Sequence, residues 1–131
     1  MSVKWLNRTL VVSPYHYALC TNEEDFHKEL KRMKVPRAEW LPFLLPHADA
    51  CAHFFEETDG AGLSAIVCIG NTKGKHLSQI TGLLVHEAVH IWQEIRRNLS
   101  EEHPSSEFEA YSIQSISQYL IDAYYEKRGG K

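Results

Sequence analysis

The chain has 131 residues, 44% of them hydrophobic and 24% charged, with a formal net charge of -3 when histidine is neutral. A chain this short is expected to form a single domain over residues 1–131, burying about two-thirds of its unfolded surface. No basic stripe tracks a phosphate backbone, which speaks against nucleic acid as a partner, and apolar runs such as Leu41–Leu45 fall far short of the ~18 residues a membrane helix needs.

From the start to Val12 there is no long apolar run and no small-residue cleavage site, so cytoplasmic residence is expected. Thr9–Ser13 and Tyr15–Cys20 are β-branched and aromatic around Pro14 and read as a strand or a bent pair of strands. Thr21 with Glu24 three residues on predicts a capping box. Phe26, Leu30 and Met33 then recur at helical spacing, and Val35-Pro36 closes a helix over Asn22–Lys34. The proline-broken stretch Pro36–Pro46 is expected to wrap the surface with Trp40, Phe43 and Leu44 turned inward.

Ala50–Glu57 and Leu63–Gly70 each suit a strand, and Thr58-Asp59-Gly60-Ala61-Gly62 supplies turn chemistry, so a β-hairpin is expected. Its second strand is nearly all apolar and should be central. After a polar loop over Gly70–Lys75, Ser78 to about Asn98 reads as a helix. Ile80, Leu84, Ala88, Ile91 and Ile95 form one stripe, with Val85, Val89 and Trp92 beside it, which predicts a central, mostly buried element. Beyond Pro104, Ser106 and Glu109 predict a second capping box, and Ile113, Ile116, Leu120 and Tyr124 carry a last helix to about Glu126. The fold class expected from this order is α+β with a small mixed sheet. Cys20, Cys51 and Cys68 are odd in number, far apart and never in a C-x-x-C pair, the pattern of reduced, part-buried thiols.

Within the central helix, His86-Glu87-Ala88-Val89-His90 is an H-E-x-x-H motif. Histidines at i and i+4 share one helix face, so both imidazoles can reach one Zn²⁺, while Glu87 points to the side where a metal-bound water would sit. Zinc lowers the pKa of such a water to about 7, and Glu87 would take its proton as the water attacks a polarised carbonyl. The chemistry this predicts is hydrolysis of a peptide or protein substrate. Gln79, Gly82, Gln93 and Arg97 fall near the same helix face. Gly82 costs helix stability relative to alanine, and it reads either as a place of close approach or as a tolerated surface glycine.

A catalytic zinc site usually has three protein ligands and an open position. The metzincin extension is absent, since the position six beyond His90 is Arg96. With Glu107-Phe108-Glu109-Ala110-Tyr111 in the last helix, the chain resembles the gluzincins, zincins whose third ligand is a glutamate on a following helix in an E-x-x-A setting. The resemblance covers about Ala50 to Leu120 and is nearest in plan to minimal single-domain members, including small proteins of phage and prophage genomes. It implies a minimal zincin-like fold with a C-terminal ligand-bearing helix, Glu107 as the third zinc ligand, and Tyr111 as oxyanion or supporting residue. Glu109 competes with Glu107, although the capping box expected with Ser106 would occupy it. His103 is an oxyanion donor, a substitute ligand as in SprT-like zincins, or a surface histidine. His16, His27, His47, His53 and His76 lack partner spacing and are expected to be structural. The E-x-x-A helix also resembles that of peptidases that cleave phage repressors, but no DNA-binding domain accompanies it here. In the zincin plan the strand Ala50–Phe55 would be an edge that pairs with an extended substrate. The rival expectation is a catalytically inactive zincin-fold module that binds a protein partner.

Overall fold

The computed structural model describes residues 5–6, 15–56, 63–100 and 102–128. The strand expected at Thr9–Ser13 and the turn at residues 58–62 lie outside them. The chain is α+β. Strands β1 (Trp5–Leu6), β2 (Tyr15–Cys20), β3 (Ala50–Glu56) and β4 (Leu63–Ile69) form one mixed sheet in the order β1-β2-β4-β3. β3 and β4 make the expected antiparallel hairpin, with Cys51 opposite Cys68 and Phe54 opposite Ala65. β2 runs parallel to β4, and β1 antiparallel to β2. β4 therefore has a partner on each side, and among the described residues β3 is an edge.

The alternation of strand side chains divides the core into two layers. Cys20, Cys51, Ile66 and Cys68 face Phe26 and Leu30 of α1 (Glu23–Arg32), with Trp40, Phe43 and Leu44 packed against them as expected. Tyr17, Leu19, Ala50, Ala65, Val67 and Ile69 face the other way, onto α2 (Leu77–Asn98) and α3 (Ser106–Lys127). Covered on both faces, β4 is buried at every position from Ser64 to Ile69, which is why its sequence shows no polar alternation. All three cysteines are free and buried.

The stripe Ile80, Leu84, Ala88, Ile91 and Ile95 holds α2 to the sheet, with Trp92 buried beside it. Val85 is exposed, so α2 is buried along one side and not all round. Both helix starts expected at a capping box differ by one residue. On α1 the cap is Asn22, whose side-chain oxygen accepts the Asp25 N–H at 2.8 Å, so Thr21 and Glu24 form no box. Asparagine caps at least as well as threonine, and it stands one position nearer the apolar stripe. On α3 the cap is Ser105, which accepts the Phe108 N–H at 3.1 Å. Glu109 is thereby released from Ser106, and its carboxylate accepts the indole N–H of Trp92 at 2.9 Å. Phe108 lies edge-on to the same indole, so the first turn of α3 is keyed to α2 through Trp92. The far end of α3 is tied to α1 by Lys127 and Asp25, 3.4 Å apart and largely buried.

Candidate functional site

Helix geometry alone brings the two histidines of α2 together. His86 and His90 lie one turn apart on the exposed side of the helix, their Nε2 atoms 3.2 Å apart and their rings nearly perpendicular at 79°. Tetrahedral bonding at the usual zinc–nitrogen length of ~2.0–2.1 Å puts two nitrogens about 3.4 Å apart, so the pair suits one metal ion. Between them in sequence, Glu87 turns inward and is only 4% exposed. Burial raises its carboxyl pKa above the ordinary value, and the neighbouring His86 and His90 pull in the opposite direction. A carboxyl so placed is suited to gaining and losing a proton.

These residues line a cleft of about 430 Å³. One wall is α2, where Gln93, Glu94 and Arg97 continue the line begun by the histidines. The other is β3, which contributes Ala50, Cys51, Ala52 and Phe54, and the preceding loop adds Leu45 and Ala48. The histidine pair thus stands across the cleft from β3, which ends the strand order among the described residues. Beyond Gln93, the polar face continues with Arg97 paired to Glu94, and Gln93 bonded to His90.

The other residues singled out in the sequence are placed differently. Glu107 is exposed in the first turn of α3, and Tyr111, one turn on, is 65% exposed. Neither lines the cleft. Among the described residues no group of three His, Cys, Asp or Glu side chains gathers as a metal-holding set. His103 is exposed. His53 is a core residue, stacked on Phe26 and 3.1 Å from the Phe43 carbonyl, and burial lowers its pKa. Gln79 serves the start of α2, its side-chain oxygen accepting the His76 N–H, and a methyl group at Gly82 would meet open space.

Cys51 was not singled out for the cleft. Its thiol is pushed up in pKa by burial, with the Phe43 carbonyl and His53 as its neighbours, so it is a packed side chain and not an activated nucleophile. Leu45 and Ala48 had no signal in the sequence, because only the path of the loop brings them to the site. In comparisons with family models, curated proteins and solved structures, nothing matches this chain.

Proposed function

We propose that the protein is a zinc-dependent peptidase of the gluzincin type, hydrolysing peptide bonds in the cleft between α2 and β3. The observation that carries this reading is the convergence of the His86 and His90 Nε2 atoms beside buried Glu87 in a cleft walled by an edge strand. Two imidazoles are donors that zinc favours, and a bound zinc ion would polarise the scissile carbonyl and acidify the attacking water. Glu87 would be the residue to accept a proton from such a water and pass it to the departing amine, a role suited by a carboxyl pKa raised by burial. β3, the end of the strand order among the described residues, would hold an extended peptide by adding it as a further strand.

The third ligand belongs to the first turn of α3, which Trp92 keys to α2. Glu107 matches the E-x-x-A position and has its carboxylate in the open, whereas the carboxylate of Glu109 is engaged by Trp92. Glu107 does not line the cleft, so it would complete a metal site only by moving towards the histidine pair. Tyr111, also exposed and one turn on, is the candidate oxyanion or supporting residue. Among the described residues no helix is long and apolar enough to cross a membrane, and the proposed setting is the cytoplasm, consistent with three free cysteines.

The dispersal of Glu107 and Tyr111 from the cleft favours a second reading, a binding module that keeps the fold but not the chemistry. Glu87→Gln separates the two. The amide keeps the size of the side chain and removes the proton acceptor, so zinc content and fold persist while cleavage of a peptide library falls by ~10² to 10⁴. Cleavage at the wild-type rate by the variant would overturn the mechanism. A wild type that cleaves nothing, with equal partner affinity in both forms, would install the binding module in its place.

A further inference from the structure

We infer that Gln93 is a positioning residue for His90, holding its ring in the tautomer whose Nε2 lone pair faces His86. The metal consequence of this rests on the zinc reading above, but the hold on His90 does not. His90 Nδ1 lies 3.1 Å from the side-chain oxygen of Gln93, and His90 Nε2 lies 3.2 Å from His86 Nε2. A neutral imidazole has one N–H and one lone pair, and an amide oxygen only accepts. The His90 proton therefore sits on Nδ1, and its Nε2 accepts the Nε2–H of His86. For both Nε2 lone pairs to face one cation, His86 would have to carry its proton on Nδ1 and give up the Nε2–H that it shares with His90, whereas His90 already has the required tautomer.

The spacing follows from the helix. Gln93 stands three residues beyond His90, so ligand and holder are neighbours on one face and both line the cleft. The adjacent acid, Glu94, is paired with Arg97, which leaves the amide to meet the imidazole. Ligating histidines ordinarily donate their second ring N–H to a carboxylate, a backbone carbonyl or water. An amide in that role fixes the ring and adds no negative charge beside the ion, so the acidity of the site rests on Glu87 and the third ligand.

Two measurements test this on the full chain. Zinc affinity, read by competition with a chromophoric chelator, should fall by ~10- to 100-fold in Gln93→Leu and stay close to wild type in Gln93→Glu, which keeps the acceptor. Nitrogen-15 NMR of the metal-free protein at about pH 9, above the ordinary imidazole range, should show His90 protonated on Nδ1 in wild type and redistributed between the two nitrogens in Gln93→Leu. Wild-type His90 protonated on Nε2, or an unchanged tautomer in Gln93→Leu, overturns the inference. So does equal zinc affinity in Gln93→Leu and wild type. If wild type binds no zinc but the tautomer changes as stated, the role of Gln93 stands and the zinc reading falls.

Discussion

The two halves of the proposed site differ in how they are built. His86, Glu87, His90 and Gln93 lie within two turns of one helix, where backbone geometry sets every spacing and the Nε2 atoms meet at 3.2 Å without help from another element. The half contributed by α3 depends on how that helix is seated, and the structure seats it with Glu109 against Trp92 and Glu107 in solvent. A motif inside one helix is thus preassembled, whereas a ligand from a second helix is only as well placed as the packing between the helices. Here the first turn of α3 is seated against one indole, Trp92.

Variants of the α3 half give the largest contrast. Glu107→Ala should weaken zinc binding by orders of magnitude with little change in stability. Glu109→Ala should do the reverse, costing ~1–3 kcal/mol in denaturant unfolding because the buried Trp92 N–H loses its acceptor. Equal losses of zinc affinity, or the opposite order, would show that the ligand is Glu109 and that the Trp92 bond is given up on metal binding.

A smaller effect separates structural histidines from the pair. His53 is buried neutral and its pKa is lowered from the ordinary 6.5, so the folded state binds fewer protons there than the unfolded chain. Stability is full above that ordinary value and is lost as pH falls from it towards the lowered folded value. His53→Gln should flatten that limb of the pH–stability curve. A curve unchanged in the variant would mean that other groups cause the acid sensitivity. The smallest expected effect is at Gly82, where a methyl group meets nothing within 4 Å. Gly82→Ala should stabilise the fold by ~0.5–1 kcal/mol and leave zinc affinity as it was. Lost affinity there would reveal a close approach by a metal-bound form of the chain.

Much of the fold was legible because its signals are local. The strand-like run of β3, the nearly all-apolar run of β4 and the stripe of α2 each report on a single element. The parallel pairing of β2 with β4 has no such signal, since it is settled by which strand edge remains open after the hairpin forms. The two capping assignments missed by one residue for a related reason. Thr21 and Asn22, like Ser105 and Ser106, offer adjacent caps of similar strength, and packing of Phe26 and Phe108 decides between them. The second miss mattered more, because it placed Glu109 in a local box when its partner lies on another helix. Leu45, Ala48 and Cys51 were illegible at the cleft because a loop and an edge strand bring them there from a distance in sequence.

The most direct test of the central claim is zinc stoichiometry. Wild type, His86→Ala and His90→Ala would be purified without added metal, titrated with Zn²⁺ and assayed by elemental analysis, with circular dichroism as the control for folding. The account predicts one zinc per chain in wild type and loss of tight binding in both variants, each still folded. No zinc in wild type after titration, or wild-type stoichiometry retained in both histidine variants, would contradict it.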